Sequence, residues 1–408
     1  MVAALTRIFG VHNLALAEDV VQDAFCRALE VWKFQGVPQN SSAWLMRTAK
    51  NRAIDVLRRE RRVRAFAPEL EGLLESEWTL VPTVDELLTA NAIKDDQLRM
   101  MFSCCQPRLR EQAQVALVLH LLCGFTVGEI ANAFLSGRAA IEKRISRAKK
   151  VLAGSKRLFD LTDRDFKARL SAVQRALYLL FNEGYHGASS ESAVRAELCA
   201  EAMRLTSLLI DHPLTSIPST RALYALMCLN AARLPARVDS DGNLTTLYVQ
   251  DRSRWNRGLL TQGLRLMDSA AAGPELSEYH VEAAIAAVHA GASGVGETDW
   301  ASIVALYDTL MSIRQTPVVG LNRAIAIAQA EGPARGLEEI HAIRDRHRLA
   351  SYPFYQAALG ELELRAGNIQ VARAHFEGAH ALARNSMERT FMQQRIDACD
   401  PFKEKLTR

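Results

Sequence analysis

Apolar side chains recur every three or four positions along most of this chain, the spacing that builds one face of an α-helix. Ala3–Phe9 opens the pattern. Leu16–Trp32 continues it, with Val20, Val21, Ala24, Phe25, Ala28 and Leu29 as the apolar positions. Gly36, Pro38, Asn40 and Ser41 then interrupt the period and predict a loop. From Ser41 to Arg62 the stripe resumes through Trp44, Leu45, Thr48, Ala49, Ala53, Val56 and Leu57, and Ser41 or Ser42 is the expected N-cap of that helix. Leu244–Val249 is the one strand-like stretch, so the pattern predicts an all-α protein.

A second motif lies between Phe125 and Leu152. Thr126 is placed to cap a short helix that turns Ile130, Ala131 and Phe134 inward. Leu135-Ser136-Gly137 makes a tight turn, and Ala140, Ile141, Ile145, Ala148 and Leu152 anchor the helix that follows. Helix, tight turn, helix is the helix-turn-helix arrangement. Beyond residue 160, Gly and Pro punctuate helices of about 10–20 residues, the rhythm of an α-solenoid. Leu359-Gly360, Gly367, Ala372, Phe376 and Ala379 fall at the spacings of the tetratricopeptide consensus. The expected organisation is a first helical domain over 1–62, a linker over 63–96, a helix-turn-helix domain over 97–153, a helical extension over 160–290 and tetratricopeptide-like repeats over 291–408.

Charge sharpens this picture. The net charge of +4 over 408 residues hides strong local asymmetry. Arg47, Lys50, Arg52, Arg58, Arg59, Arg61 and Arg62 oppose only Asp55 and Glu60 on the helix after Ala43. Arg138, Lys143, Arg144, Arg147, Lys149 and Lys150 oppose Glu142 on the helix after the turn. Two basic helices that also carry apolar stripes suit a polyphosphate, and nucleic acid is the first candidate. Between them, seven acids face Arg64 and Lys94 over 63–95, an acidic connector. A hydrophobic content of 49% is ample for packed cores. No apolar run reaches the length of a membrane span and no signal peptide is visible. Seven cysteines without paired spacing fit a reducing cytoplasm. Cys104, Cys105, His120 and Cys123 lack a metal-ligand spacing and read as core, so neither a metal nor a cofactor is expected. Asn182-Glu183-Gly184-Tyr185 invites an enzymatic reading with Glu183 as base. No nucleophile elbow or phosphate-binding loop accompanies it, and a helix end closed by Gly184 explains it as well.

Leu16-Ala17-Glu18-Asp19-Val20-Val21-Gln22-Asp23-Ala24-Phe25, the segment from Ala43-Trp44-Leu45 to Arg62, and Phe125–Lys150 together resemble an extracytoplasmic-function sigma factor of the sigma-70 family. The first resembles the region 2 helix that docks on the RNA polymerase clamp, the second the segment that melts and reads the −10 element, and the third region 4, which binds the −35 element. Ala176-Leu177-Tyr178-Leu179-Leu180-Phe181-Asn182-Glu183-Gly184-Tyr185 and Asp251-Arg252-Ser253-Arg254-Trp255 are similar to a subgroup with a long C-terminal extension ending in tetratricopeptide-like repeats.

The resemblance implies a promoter-specificity subunit that binds core RNA polymerase and promoter DNA, with activity controlled by the extension, itself a docking surface for a protein partner. Glu18, Asp19, Gln22 and Asp23 are the expected polymerase contacts. Phe34, Arg47, Asn51, Arg52, Arg58 and Arg59 are expected at the −10 element. Arg138, Lys143, Arg144 and Arg147 are expected at the −35 element. A stand-alone helix-turn-helix regulator with a sensor domain, and an enzyme with a site near Glu183, are the rival readings.

Overall fold

The structure, a computed structural model, describes residues 1–10, 13–61, 95–154, 161–187, 189 and 192–400. The acidic connector lies outside the described residues. Residues Met1–Ile130, Arg138–Ala176 and His212–Leu214 form one compact unit. Residues Ala131–Gly137, Leu177–Asp211 and Thr215–Arg408 form a second.

The first unit begins with α1 (Val2–Phe9), α2 (Leu14–Gln35) and α3 (Ser41–Arg61). Leu5, Phe9, Ala17, Val20, Val21, Ala24, Ala28, Leu45, Ala49 and Ala53 form their common core. Small residues on the facing stripes of α2 and α3 let the two helices pack along their length. Trp32 and Trp44 fill the end of this seam, ring centroids 5.4 Å apart. The N-cap of α3 is Asn40 rather than Ser41 or Ser42: its Oδ1 accepts from the Ala43 amide at 2.9 Å. The α2 stripe is narrower than its apolar residues suggest. Phe25 and Leu29 are 49% and 78% exposed, because they lie one position past the buried Ala24 and Ala28.

α4 (Asp96–Cys104), α5 (Glu111–Leu122), α6 (Val127–Ala133) and α7 (Arg138–Ala153) follow. Asp95 caps α4 through the Leu98 amide. Thr126 and Glu129 form a reciprocal capping box at α6. Ile141, Ile145, Ala148 and Leu152 are buried as expected, whereas Ala140 is exposed. Cys104 and Cys105 are buried, which holds both thiols neutral and lifts the Cys105 pKa to about 12. His120 Nδ1 lies 3.0 Å from the Phe125 carbonyl. Among the described residues no group of His, Cys, Asp and Glu is arranged to hold a metal ion, and no helix is long and apolar enough to cross a membrane.

α8 (Asp163–His186) gives residues up to Ala176 to the first unit and the rest to the second. The second unit continues with α9 (Ala196–Asp211), α10 (Pro218–Ala231), α11 (Arg257–Ala270), α12 (Glu278–Gly291), α13 (Trp300–Ile313), α14 (Pro317–Glu331), α15 (Pro333–His341), α16 (Pro353–Arg365), α17 (Ile369–Leu382) and α18 (Ser386–Ala398). From α12 onward the helices pack chiefly on their chain neighbours, while α12 itself also packs extensively on α10. Glycines set the closest approaches. A Cβ on Gly360 would lie 2.9 Å from the Phe376 ring, and one on Gly336 would lie 2.4 Å from Ala328. Leu359, Ala372, Phe376 and Ala379 are all buried. The strand expected over 244–249 does not form; the described residues hold one isolated bridge, Val238 to Leu244. Gly184 does not close a helix, since α8 continues to His186. It is small because the Arg195 carbonyl and Cys199 amide would both lie 2.7 Å from a Cβ there.

Two histidines of this unit are held neutral. Burial first, then the charges of Arg237 and Arg384, pushes the His186 pKa well below its usual value. Glu388 lies 3.9 Å from its Nε2 but is already neutralised by Arg384. Burial, with Arg233 and Arg252, brings His289 down to about 4. Depressed histidines bind fewer protons folded than unfolded, so stability falls as pH drops below about 6.5 and levels off below the folded pKa. At pH 5.5 His289, with its folded pKa at about 4, is expected to cost the second unit about 1.4 kcal/mol relative to pH 7.5. Urea melts at the two pH values check this, and His289→Gln should shrink the difference by about that amount.

Candidate nucleic-acid interface

Along α2, Asp19, Gln22 and Asp23 are exposed beside Phe25 and Leu29. Glu18, Gln22, Phe25 and Leu29 follow one another at four- and three-residue steps and share a face. Glu18 is engaged: both its carboxylate oxygens accept from Lys149 Nζ of α7, at 2.7 and 3.0 Å. Asp23 accepts from Arg52 Nε at 3.0 Å, joining a residue expected at polymerase to one expected at the −10 element. That pair is half exposed and solvent-screened, so it yields readily to another partner.

Arg47 and Asn51, one turn apart on α3, are exposed away from the packed seam. Phe34 is 83% exposed and lies in the last turn of α2, not in the following loop, with Lys33 Nζ 5.8 Å from its ring centroid. The side chains of Arg58 and Arg59 lie outside the described residues.

On α7, Arg138, Lys143, Arg147 and Lys150 are exposed, while Arg144 is half-buried. Lys143, Arg147 and Lys150 recur at helical spacing on one face, opposite the buried Ile141, Ile145, Ala148 and Leu152. Arg138 pairs with Glu142 at 3.3 Å across one helical turn, an exposed and solvent-screened pair that offsets part of the first cation of this helix. Arg47, Lys143 and Arg147 thus present guanidinium or ammonium groups to solvent, as a phosphate-binding face requires.

Glu183 is buried and accepts from Arg195 Nη2 at 2.8 Å, an ion pair inside the second unit that ties α8 to the segment leading into α9. Phe25 and Leu29 are the exposed residues that the apolar stripe concealed. Their signal was available: a stripe that wide cannot all face a partner helix.

The model of sigma-70 region 2 matches residues 1–63. A family of unknown function, DUF6596, matches residues 169–271. "Uncharacterized protein R00370" of Rhizobium meliloti (strain 1021) is 38% identical over 397 residues, covering 97% of this chain and 92% of that protein. No solved structure matches. The chain belongs to the family of that Rhizobium protein, and its match to sigma-70 region 2 supports a sigma-70 family factor.

Proposed function

We propose that this protein is an extracytoplasmic-function sigma factor that binds core RNA polymerase and directs initiation at promoters read at both a −10 and a −35 element. The supporting observation is the pair of solvent-facing cationic surfaces, α3 with Arg47 and Asn51 and α7 with Lys143 and Arg147, in a chain that carries region 2. In this reading α2 is the polymerase-docking helix. Its exposed Phe25 and Leu29 supply apolar anchors, and Asp19, Gln22 and Asp23 supply a polar, acidic rim. Phe34 stacks with an unpaired base, Arg47 and Asn51 contact the −10 strand, and α7 enters the major groove at the −35 element. The second unit, built of helix on neighbouring helix, governs how these surfaces are used and offers a protein-docking surface of tetratricopeptide type. The protein carries out no chemistry of its own.

Run-off transcription with purified core polymerase is the decisive assay. Promoter-specific transcript is expected with the wild-type chain. The double substitution Phe25→Asp and Leu29→Asp removes only exposed side chains and is expected to weaken polymerase binding about 10-fold or more, with the fold intact by circular dichroism. Initiation no better than with core enzyme alone, or tight duplex binding without polymerase, would favour the stand-alone regulator instead.

A further inference from the structure

Five side chains of the second unit alternate cation and ring. The Arg237 guanidinium lies 4.4 Å from the Tyr185 ring centroid. Arg233 lies 5.9 Å from Tyr185 and 5.5 Å from Trp255, and Arg252 lies 5.0 Å from Trp255. Among the described residues no carboxylate forms an ion pair with any of the three arginines. The acids close in sequence are turned elsewhere. Asp251 accepts from the amide and hydroxyl of Ser253, Asp239 from the amides of Asp241 and Asn243, and Glu183 from Arg195.

What the arginines do contact is uncharged. Arg252 Nη1 donates to the carbonyls of His289, at 2.7 Å, and Ala292. Arg237 Nη2 donates to the Tyr185 carbonyl at 3.2 Å and lies 2.8 Å from His186 Nδ1. Arg233 Nε donates to Gln250 at 3.4 Å. Tyr185 and His289 lie at the C-terminal ends of α8 and α12, which each present about half a negative charge. Three guanidiniums against two helix ends leave a surplus of about two positive charges. Ring contacts offset part of the desolvation but do not neutralise the charge. Arg237 Nε, Arg252 Nη2, Trp255 Nε1 and Tyr185 Oη are buried donors with no hydrogen-bond acceptor, and Trp255 is 4% exposed. The three arginines themselves are only half-buried, so an anion can reach them without opening the core.

We infer that this ladder is a binding site for a phosphorylated small molecule, its phosphoryl group seated at Arg233 with Arg237 and Arg252 on either side. A phosphomonoester carries about −1.5 to −2 charges near neutral pH, which matches the surplus, whereas a monocarboxylate leaves half of it standing. Its three terminal oxygens also suit planar guanidinium forks and the orphaned ring donors. The site goes beyond promoter recognition and stands or falls independently of it.

Inorganic phosphate is the probe, applied to the full-length chain by calorimetry and thermal melting, with chloride and acetate at matched ionic strength. Saturable binding and a raised melting temperature are expected with phosphate, with acetate at least 10-fold weaker. Arg233→Met keeps the stem over Tyr185 and Trp255 and removes the charge; it is expected to weaken phosphate binding at least 10-fold. Arg237→Met is a second, separate variant and decides the matter if Arg233→Met does not fold. Equal responses to phosphate and chloride, acetate as tight as phosphate, or wild-type phosphate affinity in the folded variants would each overturn the assignment.

Discussion

Replacing Lys143 and Arg147 together by alanine is expected to abolish selective promoter binding while leaving the protein folded. Both side chains are exposed on α7 and neither takes part in its anchoring face, which is Ile141, Ile145, Ala148 and Leu152. A good base contact from Lys or Arg to guanine is worth about 1–3 kcal/mol of discrimination. Losing one costs about 5- to 150-fold in specific affinity, and losing two approaches about 10⁴-fold at the upper limit. Lys150→Ala is the comparison. A phosphate contact carries no sequence information, so its loss should weaken all DNA alike and reduce the salt slope by about one. Arg138→Ala should have a smaller effect than Arg147→Ala, because Arg138 must first leave Glu142. Anisotropy titrations of the polymerase complex on the promoter and on a scrambled −35 duplex, at several salt concentrations, separate these outcomes. Equal losses on both duplexes for the Lys143 and Arg147 variant would remove α7 from base readout.

Much of this surface was legible in the sequence, because helical periodicity places charge and core on opposite faces without tertiary information. The stripe of α3, the buried anchors of α7 and the Thr126 cap follow from local rules. Distance defeated those rules elsewhere. The Glu18–Lys149 and Asp23–Arg52 pairs join residues 131 and 29 positions apart, and no spacing rule relates them. Gly184 illustrates the same limit: a helix-ending glycine and a close-packing glycine look alike until the neighbouring backbone is placed. Leu244–Val249 is rich in the β-branched and aromatic residues that favour strands but gains a single bridge, since one short segment has no sheet to join. The arginine–aromatic ladder was hidden for a related reason. Tyr185, Arg233 and Trp255 sit on three separate segments and meet only through the packing of α8, the turn after α10 and the segment leading into α11.

Replacing Glu388 by alanine is expected to cost the second unit about 3–5 kcal/mol, the loss typical of stranding one partner of a buried ion pair. Glu388 on α18 is fully buried. Its carboxylate accepts from the Arg384 amide at 2.8 Å and from the Arg384 guanidinium at 2.5–3.2 Å. Its own amide donates to Asn385 Oδ1, and Asn385 Nδ2 donates to the Ser189 carbonyl, so the pair is set within a wider network. Arg384 also lies 5.5 Å from the Phe354 ring centroid, and the His186 ring meets that same phenylalanine edge-on at 4.5 Å. Alanine at 388 leaves the Arg384 charge, 18% exposed, facing an apolar wall and a neutral histidine. Glutamine keeps one acceptor and should cost less, about 1–3 kcal/mol. The double variant Arg384→Met and Glu388→Leu separates charge from packing. If the single loss arises from an uncompensated guanidinium, removing both charges together should recover most of it, because apolar groups of similar volume often replace a buried pair at little cost. Urea melts of the wild type, Arg384→Met, Glu388→Leu and the double variant close the cycle. A double variant as unstable as Glu388→Ala would mean that the carboxylate acts chiefly through the backbone amide it caps, not through Arg384.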